Sequence, residues 1–273
     1  FLFPADCQNE LHRKEISERK QKIMKILALD SSGLVASVAV VENDTLLAEY
    51  TVNYKKTHSQ TLLPMLDEIS NMTELDLSTI DAIAVAGGPG SFTGLRIGSA
   101  TAKGLGLALE KPLISIPTTA AIAYNIWDTD KFVCPIMDAR RNQVYTGVYC
   151  YTDHRLDTVW EQDTMSIEAL AEGLNCLDHE VIFLGDGVAV YREKLEALLT
   201  IPFSFAPAHV NRQRAAAVGA LAEVYYKEGK IQTAEEHEPE YLRKSQAERE
   251  RAERESVKHA DVVKKQENGE KSE

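Results

Sequence analysis

Lys25-Ile26-Leu27-Ala28-Leu29-Asp30-Ser31-Ser32-Gly33 is the stretch on which the reading of the whole chain turns. Residues 26–29 form a short, unbroken apolar run, the pattern of a strand buried on both faces. The run stops at a carboxylate, two small hydroxyls and a glycine, the composition of a tight turn. Beyond the turn Val35, Ser37, Ala39 and Val41 alternate with their neighbours, and a third extended run, 46–54, follows Glu42-Asn43-Asp44. Turns this short join antiparallel neighbours, so 26–54 reads as a three-stranded meander. A carboxylate and hydroxyls on such a turn can hold magnesium-bound water and offer backbone N–H groups to phosphate. Asp30, Ser31, Ser32 and Gly33 are therefore a candidate phosphate loop, although an ordinary polar turn uses the same residue types.

Downstream, Leu62, Leu63, Leu66 and Ile69 follow helical spacing over 58–69, with Thr57 or Ser59 available as N-cap and Pro64 marking a kink or the true start. A buried strand at 81–86 runs into Gly87-Gly88-Pro89-Gly90-Ser91-Phe92-Thr93-Gly94 and a helix over 94–109. That loop misses two phosphate motifs: Thr93 stands where a dinucleotide fingerprint needs glycine, and Ala102 where a P-loop does. Strand 113–116, helix 118–127 and a strand pair, 132–137 with 143–151, come next around Asp138-Ala139-Arg140-Arg141. Helix 166–174, strand 181–184, the loop Gly185-Asp186-Gly187, helix 188–199 and a long helix over 211–227 complete the pattern. Strands that first pair locally and then alternate with helices predict an α/β protein of two related lobes, each a mixed sheet flanked by helices.

The helix after the glycine loop carries Gly94, Gly98, Ala102 and Gly106 at every fourth position. Glycine inside a helix costs roughly 1 kcal/mol relative to alanine, so close backbone approach must offset it. Another subunit's helix or the protein's own sheet would serve equally.

The 273 residues carry 44% hydrophobic and 26% charged side chains, enough apolar material for a large core without disulfides or metal. Cys7, Cys134, Cys150 and Cys176 lie far apart, which suits a reduced, cytoplasmic protein. No apolar run approaches the length of a membrane span, and no membrane partner is expected. Residues 24–239 hold 16 basic and 29 acidic side chains, a net of −13. That surface repels polyanions, so unaided binding of nucleic acid is not expected. Residues 1–23 read as a disordered leader or the remnant of something upstream, and 246–273 as a charged tail with a solvated helix over 246–255. The lobes are placed at 24–128 and 129–245. Among candidates for chemistry, His58, His154, His179, His209 and His237 are each solitary, with no metal-ligand spacing. No Gly-x-Ser-x-Gly elbow or Cys–His arrangement is present. Asp138 beside Arg140 fits either acid–base work or a salt bridge.

Taken together, these segments resemble the ASKHA superfamily of actin, Hsp70 and sugar kinases, and within it the TsaB (YeaZ) family. The markers are 26–32, Thr57-His58-Ser59-Gln60 with Leu63-Pro64, 87–98, Met137-Asp138-Ala139-Arg140-Arg141, Gly185-Asp186-Gly187 and Pro239-Glu240-Tyr241-Leu242-Arg243. The resemblance runs from Met24 to about Arg249. It implies a subunit of the machinery that makes threonylcarbamoyladenosine beside the tRNA anticodon. The family's catalytic paralogue, TsaD, is similar over 84–112 and then carries a His-x-x-x-His metal pair; Thr118 and Ile122 stand in those places here. The resemblance thus implies no catalytic residue and no metal. It implies pairing with a TsaD-type paralogue, or a homodimer when alone, through helices 58–69 and 94–107. The interface residues it points to are His58, Leu62, Leu66, Phe92, Gly94, Leu95, Arg96, Gly98, Ala102 and Gly106. A TsaE-type P-loop ATPase is the further partner, and tRNA is met only through the complex. Asp30, Ser31, Ser32 and Gly33, facing Gly185 and Gly187, become vestigial phosphate loops with at most weak nucleotide binding. The alternative is a free-standing ATPase or phosphotransferase using those loops, with Asp138 as catalytic group. A metallopeptidase lacks its ligands.

Overall fold

The computed structural model describes residues 23–54 and 57–243; the leader before Ile23 and the charged tail expected at 246–273 lie outside the described residues. The meander is β1 (Lys25–Asp30), β2 (Ala36–Glu42) and β3 (Thr45–Val52), joined antiparallel. Asn43 and Asp44 both take positive φ, the backbone required by a two-residue hairpin whose twist matches its strands. Helix α1 (Leu62–Thr73) leads to β4 (Ala82–Gly88), which lies parallel to β1. Helix α2 (Phe92–Leu109) leads to β5 (Leu113–Pro117), parallel to β4, and a short α3 (Thr118–Ala123) follows.

The same sequence of elements then repeats. Strands β6 (Phe132–Asp138), β7 (Gln143–Thr152) and β8 (Arg155–Ser166) are antiparallel. Helix α4 (Ile167–Leu177), β9 (Val181–Leu184), α5 (Gly187–Leu198), β10 (Phe203–Phe205) and α6 (Ala215–Lys227) complete the second round. Strand β9 runs parallel to β6 and β10 parallel to β9. The two five-stranded sheets have the orders β3-β2-β1-β4-β5 and β8-β7-β6-β9-β10, one topology used twice. This is the two-lobed ASKHA arrangement of duplicated mixed sheets flanked by helices.

Alternation along the central strands divides the core. Leu27, Leu29, Val38, Val40, Ile83 and Val85 face α1 and α2, whereas Ile26, Ala28, Ala39, Ala82, Ala84 and Ala86 face the other way, toward the second sheet. On that inner side small alanines let helices lie close to the strands. Gly219 of α6 sits against Ala28 and Val41, where a Cβ would crowd the Val41 methyl. Helix α6 therefore packs on the first sheet, although it follows the second in sequence; α3 conversely reaches across to β6 and β7. The long helix expected at 211–227 begins four residues late, because 211–214 form the crossing itself. Helix 118–127 stops at Ala123 in tighter turns. Strands β8 and β10 carry no clear sequence pattern. Pro64 lies in the first turn of α1, where a missing N–H costs nothing, and the N-cap is Thr61 rather than Thr57 or Ser59.

Candidate functional site

Duplication brings equivalent turns face to face. A cavity of about 710 Å3 opens between the sheets, lined on one side by Ser32, Gly33, Gly90 and Ser91 and on the other by Asp138, Arg140 and Asp186. Asp30 ends β1 as Asp138 ends β6, and Gly90 follows β4 as Asp186 follows β9.

Of the first candidate loop only Ser32 and Gly33 line the cavity. Asp30 is fully buried, and its Oδ1 accepts the Ser32 N–H at 2.9 Å and the Ser32 hydroxyl at 2.7 Å. Its other oxygen has no protein partner. Burial pushes the carboxyl up to about 6, against the pull of the Ser32 bonds and of His58. Ser31 turns the opposite way, donating its hydroxyl to the Gly94 carbonyl at 2.9 Å. His58 Nε2 donates to the Gly33 carbonyl at 2.9 Å, so the ring ties the short 3-10 turn His58–Gln60, just before α1, to this turn. Gln213, 1% exposed, lies against Gly33 with both amide atoms unpartnered. Asp30 and Ser31 thus stabilise the turn from within and do not reach the cleft as the expected phosphate loop would require. An Asp two residues before a donor closes on its own backbone more readily than it reaches outward.

In the second loop Gly185 has φ +101°, and a Cβ on either Gly185 or Gly187 would meet the Ile136 carbonyl. These glycines let the loop lie on β6. The side chain that faces the cavity is Asp186, its carboxyl raised by burial and only partly offset by Arg212. Asp138 accepts from the Arg140 N–H at 2.9 Å and the Tyr191 hydroxyl at 3.1 Å, and it forms an ion pair with Arg140 at 3.7 Å. The cleft lining sets three carboxylates, Asp138, Asp186 and Glu240, against two guanidinium groups, Arg140 and Arg243, and so offers a polyphosphate no net positive charge.

The small-residue stripe belongs to the protein's own core. A Cβ on Gly94 would run into the Ser31 carbonyl, on Gly98 into the Ser31 hydroxyl, and on Gly106 into Leu113. Ala102, Leu62, Leu66 and Leu95 are buried beneath α1 and α2. These seven residues are expected from sequence at a subunit interface; close packing on the first sheet already accounts for them. Phe92 is half-buried against Tyr241, and Arg96, exposed, lies 5.4 Å over the Phe92 ring. Outward on α2 are Arg96, Ala100, Gly104 and Leu107, and on α1 Leu63 and Met72 are exposed on opposite flanks of its buried side.

Behind the glycine loop, Thr118 is fully buried and accepts the Gly88 N–H at 3.2 Å. Ile122, one turn on, lies in the inter-sheet core. Thr119 Oγ1 accepts from the Tyr149 hydroxyl at 2.7 Å and donates to Gln162 Oε1 at 2.8 Å. Gln162 Nε2 reaches the Glu240 carboxylate at 2.6 Å. Sequence reasoning misses Gln162, Gln213 and Tyr149, since no motif contains them and β8 has no strand pattern to place the first. Among the described residues no group of three or more His, Cys, Asp or Glu side chains is placed to hold a metal.

A family model described as "TsaD: tRNA N6-adenosine threonylcarbamoyltransferase" matches residues 45–251. The chain is similar to the tRNA threonylcarbamoyladenosine biosynthesis protein TsaB of Bacillus subtilis, 32% identical over 225 residues, covering 82% of this chain and 96% of that protein. The protein of that description from Escherichia coli is 30% identical over 232 residues, covering 82% and 96%. Among solved structures, YeaZ from Pseudomonas aeruginosa superposes with a TM-score of 0.70 at 27% identity, covering 80% of this chain and all of that one.

Proposed function

We propose, from the premise that this chain belongs to the TsaB (YeaZ) family of tRNA threonylcarbamoyladenosine biosynthesis proteins, that within this synthesis it is a non-catalytic subunit paired with a TsaD-type transferase. The observation that carries the reading is at Thr118 and Ile122. Where the resemblance to TsaD puts a histidine pair, one side chain here is a hydroxyl engaged by the Gly88 amide and the other is a core aliphatic. Neither supplies a metal ligand.

The pairing surface in this reading is the outer face of α1 and α2. Leu63, Met72 and Leu107 are 55%, 78% and 62% exposed, and Gly104 has no atom within 4 Å of where its Cβ would stand. Exposed apolar side chains beside the small residues of α2 suit another helix pair of the same kind. The homodimer of the isolated protein would use that face in the absence of the paralogue. A TsaE-type P-loop ATPase joins the pair, tRNA is held by the complex rather than by this acidic chain, and the setting is cytoplasmic. Among the described residues no helix is long and apolar enough to cross a membrane.

The test is threonylcarbamoyl transfer to tRNA in a reconstituted system, with this chain omitted, restored, and supplied without the transferase. Transfer should require both proteins. A Gly104→Leu/Leu107→Glu chain should fold normally, yet lower its affinity for the transferase at least tenfold. Transfer by this chain alone, or unimpaired transfer in its absence, would refute the reading. The 710 Å3 cleft keeps the ATPase alternative on the table; no binding of magnesium nucleotide at millimolar concentration would remove it.

A further inference from the structure

Residues 239–243 do not belong to either sheet, yet they touch four separate parts of the molecule. The Glu240 N–H donates to the Gly87 carbonyl at 2.7 Å. Gly88, at φ +125°, lies so close beneath that a Cβ there would run into the Glu240 carbonyl oxygen. The Glu240 carboxylate accepts from Gln162 Nε2 on β8 at 2.6 Å, and the same nitrogen also donates to the Gly88 carbonyl at 3.3 Å. The Tyr241 ring lies 4.7 Å from that of Phe92, in the first turn of α2. Arg243 donates to the Ala139 carbonyl in the β6–β7 turn. Gly87, Gly88 and Phe92 belong to the first sheet and its helix, whereas Gln162 and Ala139 belong to the second.

We propose that residues 239–243 are an intramolecular strap: this segment lies between the Gly88 loop and β8 and ties the two sheets together across the mouth of the cleft. The space it occupies has the features of a peptide site, with a backbone hydrogen bond on one edge, a polar side chain bridging to the facing strand and an aromatic platform for a ring. Its occupant is the chain's own Glu-Tyr-Leu-Arg. Three consequences follow from the geometry. Gly87 and Gly88, at the start of the glycine loop, are covered by main chain, while Gly90 and Ser91 still line the cavity. The first turn of α2, with Phe92 and Arg96, is propped from behind by Tyr241. Opening of the cleft must begin with release of the strap. This goes beyond the pairing proposed above and does not rest on it.

The test is hydrogen–deuterium exchange on the full chain, comparing wild type with Glu240→Ala/Tyr241→Ala. Amides of 87–92 and of 139–142 should exchange at least tenfold faster together, although the two segments lie in different halves of the molecule, while those of β1 and β6 stay unchanged. Unchanged exchange in both segments, or a rise confined to 87–92, would overturn the strap. If β1 and β6 loosen too, Glu240→Gln and Gln162→Ala decide. Glu240→Gln can still accept from Gln162 and should keep wild-type protection at 139–142. Gln162→Ala should lose it. Equal protection in those two variants would also overturn the proposal.

Discussion

Asp30 shows how a single side chain can hold a turn while weakening the fold around it. Its carboxylate takes two hydrogen bonds from Ser32, but its second oxygen has no protein partner in a fully buried site. The folded carboxyl titrates near 6, above its unfolded value of 3.8. The folded state therefore holds the proton more tightly, and stability falls as pH rises from about 4 to about 6, then stays level. The loss is on the order of 2–3 kcal/mol from a shift of that size. Asp30→Asn, which keeps an acceptor for Ser32, should raise Tm by several degrees at pH 8 and by little at pH 4. Thermal unfolding at the two pH values checks this; a difference independent of pH would mean that ionisation at Asp30 is not the cause. His237 works in the opposite direction. Its ring is fully buried, with burial and Lys103 lowering its pKa, so protonation below the ordinary histidine range removes stability. The identity of Asp30 was legible in the sequence as a turn carboxylate, but its direction was not, because inward and outward turns use the same residues.

Helix α2 carries two small-residue patterns, and only three-dimensional packing tells them apart. Gly94, Gly98, Ala102 and Gly106 face Ser31, Val85 and Leu113, while Ala100 and Gly104 face out. Gly94→Ala should destabilise the isolated chain by about 2–3 kcal/mol, since the obstructing atom is a backbone carbonyl that cannot swing away. Gly104→Ala meets nothing within 4 Å and should stabilise by up to about 1 kcal/mol through helix propensity alone. Urea unfolding of both variants gives the comparison; equal effects would mean that helix propensity, not packing, dominates at both sites. The regular spacing was plain in the sequence. Which stripe lies inward depends on how α2 is rotated on the sheet, and that is set by Leu95 and Ala102 settling into the core under α1. Strand β8 was hidden for a related reason. One edge strand with a mostly half-exposed, polar surface gives little apolar alternation to read.

At the scale of the whole molecule the two sheets are bound by exchanged helices. Helix α6 lies on the first sheet, and its N-terminus is fixed there by Glu49, which is ion-paired with Arg214 and accepts the Ala216 N–H at 3.0 Å. One apolar cluster runs from Ile26 and Ala84 through Ile122 and Val218 to Val133 and Leu184, crossing both sheets. The chain should therefore unfold in one cooperative transition, with calorimetric and van't Hoff enthalpies in agreement. Glu49→Ala should lower stability by about 1–3 kcal/mol while leaving the transition single. Two resolved transitions would show that the sheets unfold independently and that the crossing helices do not couple them.

Local pattern was enough for the strands of the meander, most helices and the doubled α/β order, because hydrophobic period and turn residues act over a few positions. The comparison of Thr118 and Ile122 with a histidine pair came from the resemblance to TsaD and not from local pattern. Tertiary structure alone decided that Asp30 closes on its own turn, that the glycine stripe packs inward, that α6 crosses to the first sheet, and that residues 239–243 span the cleft. Each of these depends on which surfaces meet, most of them across long sequence separations, from Ser31 with Gly94 to Gly87 with Glu240. A one-dimensional pattern records what a residue can do, and the fold selects the neighbour with which it does it.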